Sequence, residues 1–274
     1  RRIQYLAYRE LKAAIGEHQA ASGSVVVVDV ANGEILAMVN WPSYNPNAGG
    51  TGDPALRRNR AVTDVLEPGS VIKAFTVAAG IESGKFNAET LIDTTPGTLP
   101  VANHIVRDIH DYGVVNLTRL LTKSSNVGAT RIALQLTNDH LYDVFHRFGF
   151  GEVTKQSTVS FKERTDVTAV PAARGWGTLE KATLSYGYGL SSTPLQLAQA
   201  YAALANGGRL RAPTFVAGTQ TPDAAVLDPQ IAATVLEMLE KVNSEGTGKK
   251  AAVPNYRVAG KTGTSRKASA GGYS

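Results

Sequence analysis

Strand-forming residues sit at the two ends of this 274-residue chain and helical patterns fill its middle, which restricts the folds open to it. Ser24-Val25-Val26-Val27-Val28-Asp29-Val30 is dense in β-branched residues, and Glu34-Ile35-Leu36-Ala37-Met38-Val39 follows after Asn32-Gly33. Both turn residues tolerate positive φ, so the pair predicts a tight hairpin. Strand character returns only around 210–216 and 256–264. Between these ends, Val71 to Ile81 is apolar almost all round and predicts a buried helix. Residues 117–122 and 127–136 flank a polar break, and Asp139 is placed to cap a helix running through Phe148. Thr193-Pro194 opens a helix that Asn206-Gly207-Gly208 closes, and Asp228-Pro229 opens one reaching about Val242. An amphipathic helix is expected at 2–19, and a Pro-, Gly- and Asn-rich loop at 41–60. Strands from opposite ends of a chain bury their apolar faces by meeting in one sheet. The expected fold is therefore mixed α/β, in one domain over 1–274. Residues 1–60 and 209–274 form its sheet-containing part, and 61–208 form an inserted, mainly helical part.

Composition narrows the chemistry. There are no cysteines, which excludes thiol catalysis, disulfides and thiolate metal sites. His18, His104, His110, His140 and His146 contain no i, i+4 pair, so no metal site and no cofactor is expected. The net charge of +5 favours an anionic partner. The basic residues are scattered and form no run, the pattern of a solvated surface; carboxylate-rich substrates fit the charge as well as nucleic acid does, and no nucleic-acid partner is expected. No apolar stretch reaches 18 residues, and no signal peptide is present. The chain opens on Arg1-Arg2-Ile3 without Met, so the expectation is a longer protein whose anchor or further domain precedes it.

Three short motifs carry the chemistry. In Ser70-Val71-Ile72-Lys73, the Glu67-Pro68-Gly69 turn sets Ser70 at the head of the buried helix, where free backbone N–H groups favour negative charge. Lys73 lies one turn on, on the same face. A lysine deprived of hydration has a lowered pKa, and its neutral amine can take the hydroxyl proton. The plain alternative is a Ser cap and a Lys reaching water. Ser124-Ser125-Asn126 falls in the polar break and offers a relay hydroxyl and an amide, although any capped helix start contains such residues. Lys261-Thr262-Gly263-Thr264 lies on the expected second-end strand and offers a cation, hydroxyls and a glycine that lets a ligand approach the backbone. Gly260-Lys261-Thr262 also ends like a phosphate-binding P-loop, but Asn255 stands where that motif needs glycine. The motifs follow one another at 54 and 137 residues, which leaves room for the helical insert.

Ser-x-x-Lys, Ser-x-Asn and Lys-Thr-Gly in this order form the signature of penicillin-binding proteins and serine β-lactamases. The chain resembles the transpeptidase domain of class B penicillin-binding proteins of the septal, penicillin-binding protein 3 type. Ser43-Tyr44-Asn45-Pro46-Asn47, Arg58-Asn59-Arg60-Ala61-Val62, Glu67-Pro68-Gly69-Ser70, Ser185-Tyr186-Gly187-Tyr188-Gly189 and Thr193-Pro194-Leu195-Gln196-Leu197-Ala198 add to the likeness, which covers nearly the whole chain. The resemblance implies a central antiparallel sheet flanked by helices, with an all-helical subdomain. It implies a D,D-transpeptidase that cross-links peptidoglycan stem peptides in septal wall synthesis and is trapped by β-lactams. In that reading Ser70 is the nucleophile, Lys73 its base, and Ser124 relays a proton with help from Lys261. Asn126 holds the acyl side-chain amide, while Thr262, Gly263 and Thr264 form the wall that takes the terminal carboxylate. The backbone N–H groups of Ser70 and Thr264 make the oxyanion hole. The resemblance further implies a glycosyltransferase and other division proteins as partners, and a periplasmic domain held at the inner membrane by an N-terminal helix absent from this chain.

Two departures stand against the pattern. Ser160-Phe161-Lys162-Glu163-Arg164 lacks the Pro-Gly-Glu turn of related enzymes, and the two strands and terminal helix that follow Lys-Thr-Gly in the family are expected to lie beyond this chain, as a piece of a longer protein. The rival readings are a serine β-lactamase and a non-catalytic β-lactam-binding scaffold of the division complex. The first is opposed by Arg164-Thr165-Asp166-Val167 after Glu163, which does not match the Glu-x-x-Leu-Asn of class A enzymes, and by Ser125 where those carry Asp. The second is opposed by three intact motifs.

Overall fold

The computed structural model describes residues 1–47, 53–152, 170–264, 268–269 and 272–273. The 160–164 segment, with Glu163, lies outside the described residues. Helix α1 (Arg2–His18) packs on the hairpin of β1 (Gly23–Val28) and β2 (Ile35–Trp41). The hairpin turn is longer than the Asn-Gly pair predicts. Asp29 N still donates to the Glu34 carbonyl at 2.8 Å, so residues 30–33 form the loop. Only Gly33 is left-handed, at φ 78°, and Asn32 instead accepts from Glu34 N through Oδ1 at 2.8 Å. The described residues of the 41–60 stretch are mostly loop and lead into the short α2 (Arg60–Thr63).

A 3-10 turn, Gly69–Ile72, runs straight into α3 (Lys73–Glu82). Eight of the ten α3 residues, Lys73 through Gly80, are buried, as the unbroken apolar pattern requires. The Phe75 ring meets those of Phe148, Phe150 and Tyr201 edge-on, with centroids 4.8, 5.0 and 5.4 Å apart. Strands β3 (Ile92–Asp93), β4 (Thr98–Val101), β5 (His104–Arg107) and β6 (Val114–Val115) pair as β3 with β6 and β4 with β5. Helices α4 (Leu117–Lys123), α5 (Asn126–Gln135) and α6 (Asn138–Arg147) then enclose α3. The cap of α6 is Thr137, which accepts from His140 N at 3.2 Å; Asp139, expected in that role, sits inside the first turn. Helix α7 (Thr178–Ser185) packs on α5, and α8 (Pro194–Ala205) opens on a reciprocal Thr193–Gln196 capping box.

After α8 the chain forms β7 (Arg209–Arg211), paired with β8 (Asp223–Ala225). Helix α9 (Pro229–Glu245), capped by Asp228, lies against α3, α4 and α8. The fold is mixed α/β, and every strand pair among the described residues is antiparallel and two-stranded, down to the terminal β9 (Ala268–Ser269) and β10 (Gly272–Tyr273). The 256–264 segment, expected as a strand, joins no ladder. It is held by Gly260 N donating to the Leu239 carbonyl at 3.2 Å and Asn243 Nδ2 donating to the Val258 carbonyl at 2.9 Å, both on α9. Its backbone therefore bonds to helix α9 where a strand would bond to a neighbour.

Candidate active site

The head of α3 sets the first wall. In the 3-10 turn, side chains three residues apart eclipse, so Lys73 is carried directly over Ser70. Lys73 Nζ lies 2.9 Å from Ser70 Oγ, although its residue is fully buried. Gly69 makes the approach turn at φ 58°, and a Cβ there would stand 2.3 Å from the Thr264 carbonyl oxygen. The turn is fastened from behind by Tyr201, whose hydroxyl donates to the Val71 carbonyl at 2.7 Å, and by Gly69 N donating to the Gly187 carbonyl at 3.0 Å. Burial raises the Tyr201 phenol well above its usual range and keeps it a donor.

The second wall is the break between α4 and α5. Ser124 caps α4 in the left-handed region at φ 58°, a conformation that costs a non-glycine residue about 1 kcal/mol. That reversal returns both its carbonyl and its hydroxyl to Lys73 Nζ, at 2.6 and 3.1 Å. Asn126 Oδ1 accepts from Lys73 at 2.7 Å, and its Nδ2 donates to the Arg107 carbonyl at 2.9 Å, which fixes the amide's orientation. Asp108, which sequence reasoning missed, ties this wall down. Its carboxylate accepts from Ser125 Oγ at 2.5 Å, from Val127 N at 3.0 Å and from Asn126 N. It lies 17 residues before Ser125, in no motif, and only the β5-to-α5 approach reveals it.

The third wall is Lys261-Thr262-Gly263-Thr264. Lys261 Nζ donates to Ser124 Oγ at 3.0 Å and to the Thr262 carbonyl at 3.0 Å. Gly263 lies against the serine turn: a Cβ would stand 2.9 Å from Val71 Cγ1 and 3.0 Å from the Pro68 carbonyl oxygen. Thr262, Gly263 and Thr264 are exposed, and the Tyr188 hydroxyl donates to the Thr264 carbonyl at 3.3 Å. Ser70, Lys73, Ser124, Asn126 and Lys261 thus meet in one polar cluster, and Thr262, Gly263 and Thr264 line its open side.

The electrostatics follow from burial. Desolvation, then the nearby Lys261, hold the Lys73 ammonium well below its ordinary range, against an opposing pull from Asp108. Desolvation lowers Lys261 to about 8. A neutral Lys73 amine has two protons and one lone pair. The Ser124 carbonyl and Asn126 Oδ1 can only accept, and they occupy the two protons. The lone pair then faces the hydroxyls, with Ser70 Oγ the nearer. Such a cluster can deprotonate Ser70 for attack on an electrophilic carbonyl. Among the described residues, no group of His, Asp and Glu is placed to hold a metal ion.

Residues 23–274 match the family described as the penicillin binding protein transpeptidase domain. The chain is 41% identical over 269 residues to the peptidoglycan D,D-transpeptidase FtsI of Escherichia coli K12, covering 97% of this chain and 45% of that protein. It is 38% identical over 274 residues to the probable peptidoglycan D,D-transpeptidase PbpC of Pseudomonas aeruginosa, covering 99% and 48%. It therefore spans about half the length of these relatives. The transpeptidase domain of Burkholderia pseudomallei penicillin-binding protein 3 superposes with a TM-score of 0.89 at 35% identity, over 100% of this chain and 78% of that one. On its match over 252 of its residues and on the three converging motifs, the chain belongs to the penicillin-binding protein transpeptidase family.

Proposed function

We propose that this chain is the acyl-transfer module of a peptidoglycan D,D-transpeptidase acting in septal wall synthesis. The observation that carries the reading is the 2.9 Å contact between a desolvated Lys73 amine and Ser70 Oγ. Lys73 takes the Ser70 proton while Oγ bonds to the carbonyl carbon between the two terminal D-alanines of a stem peptide. The backbone N–H groups of Ser70 and Thr264 receive the oxyanion, a role in which one donor is typically worth ~3 kcal/mol. Collapse breaks the C–N bond, and the leaving amine takes a proton through Ser124, which both lysines contact. A second stem peptide's amine then attacks the ester and gives its proton to Lys73, which passes it to Ser70 Oγ as the ester bond breaks, restoring the hydroxyl and the neutral amine. Thr262 and Thr264 hold the donor's terminal carboxylate beside Lys261, with Gly263 leaving the backbone open. Asn126 positions the acyl side-chain amide through its remaining amide proton. β-Lactams, whose strained amide mimics the scissile bond, stop the cycle at the ester.

The cleft lies between two parts in this reading, the mainly helical 61–208 and the sheet-containing 1–60 with 209–274. No described helix is long and apolar enough to cross a membrane. The reading sets the module on the periplasmic side, anchored through a segment outside this chain, beside a glycosyltransferase and other division proteins.

Incubation with benzylpenicillin, followed by intact mass over time, tests the proposal. A lasting adduct on Ser70 is expected. Rapid return to free enzyme would identify a β-lactamase, and no adduct a non-catalytic scaffold.

A further inference from the structure

The loop leaving α9 reads Glu245-Gly246-Thr247-Gly248, and the fold leaves no room for a side chain on either side of Thr247. A Cβ on Gly246 would stand 2.7 Å from the Thr122 carbonyl oxygen, and one on Gly248 would stand 1.9 Å from Asn243 Oδ1. Both glycine N–H groups donate to the Val242 carbonyl at 3.0 Å. Asn243 is 5% exposed, and it also donates to the Val258 carbonyl at 2.9 Å. One buried amide therefore abuts the loop and grips the Lys-Thr-Gly segment together. Between the two glycines, Thr247 places its hydroxyl 2.8 Å from that of Thr262. Both residues are exposed, on the open side of the site.

A threonine that binds a carboxylate must give that ligand its single hydroxyl proton, which leaves its oxygen free to accept. We infer that Thr247 is a positioning residue that donates to Thr262 Oγ1 and so turns the Thr262 proton outward, toward the carboxylate of the ligand. Donation into an oxygen strengthens the bond that oxygen's own proton makes, and it removes the freedom of the rotor. The packing of Gly246 on Thr122, two residues before Ser124, ties the same loop to the opposite wall of the cleft. This inference rests on the reading that Thr262 recognises a carboxylate.

The test compares second-order acylation by benzylpenicillin with acylation by its methyl ester, which lacks the free carboxylate. Thr247→Val should slow acylation by the acid roughly fivefold, the scale of one neutral hydrogen bond, and leave the ester rate unchanged. Thr247→Ser should restore most of the loss. In a Thr262→Val background, Thr247→Val should add nothing. Equal loss for acid and ester, fully multiplying losses in the double variant, or no loss at all would overturn the inference. If Thr262→Val lowers the acid-to-ester ratio and Thr247→Val does not, the inference alone fails. If Thr262→Val leaves that ratio unchanged, the carboxylate reading fails and takes the inference with it.

Discussion

Lys73 is a long cationic side chain in a fully buried position, where loss of hydration disfavours its charged form. Ser70→Ala should abolish the benzylpenicillin adduct, read by intact mass. Lys73→Ala should keep the hydroxyl but slow acylation by ~10²–10⁴-fold, the usual contribution of a placed base. The pH profile of acylation follows from the two lysines. The rate should rise with pH as Lys73 loses its proton. It should fall again near pH 8 as Lys261 loses the charge that helps hold a carboxylate. Asp108 favours the charged form of Lys73, so Asp108→Asn should move the acid limb to lower pH; a limb that moved upward or stayed fixed would refute that coupling. Ser70, Lys73, Ser124 and Lys261 were legible in the sequence because each sits in a motif with its neighbours. Asp108 and Thr247 were not. Each acts on a residue distant in sequence, through bonds to backbone N–H groups or to a single hydroxyl, and no local pattern records such a partner.

At the scale of elements, caps and unbroken apolar runs were readable, and pairing partners were not. The openings of α8 and α9 follow directly from Thr193-Pro194 and Asp228-Pro229. Thr193→Ala should cost about 1 kcal/mol, seen as a thermal midpoint a few degrees lower. The buried character of α3 was equally plain in its apolar sequence. Phe75→Ala opens a cavity where three aromatic rings converge and should cost about 3–5 kcal/mol in denaturant unfolding. The 256–264 segment has strand composition but finds its hydrogen bonds on α9, a choice that depends on tertiary neighbours rather than on β-propensity. The 3-10 turn at Ser70 was likewise hidden, since the apolar run that predicts a helix does not distinguish its first turn. A turn that eclipses positions three apart is what brings Lys73 onto Ser70.

Across the whole molecule, three walls far apart in sequence meet through α3, α4 and α9, and the meeting places two amines in one desolvated cluster. The cluster is costly to the fold. Lys261 falls from 10.5 to about 8 on folding, so below about pH 8 both states bind its proton and the full desolvation cost, about 3 kcal/mol, is present. Between about 8 and 10.5 only the unfolded chain binds that proton, so stability should rise with pH across this window. Lys261→Met should flatten the rise in urea unfolding measured at pH 7 and pH 10. A wild-type stability that fell over the same interval would contradict the burial of this amine. The central claim remains the state of Lys73. Carbon NMR of the Lys73 Cε, in protein made with ¹³Cε-lysine and assigned by Lys73→Arg, reads that state directly. The account predicts a titration well below 10.5, with the amine neutral where acylation is fast. A Cε that titrates at the ordinary lysine value would leave Ser70 without its base.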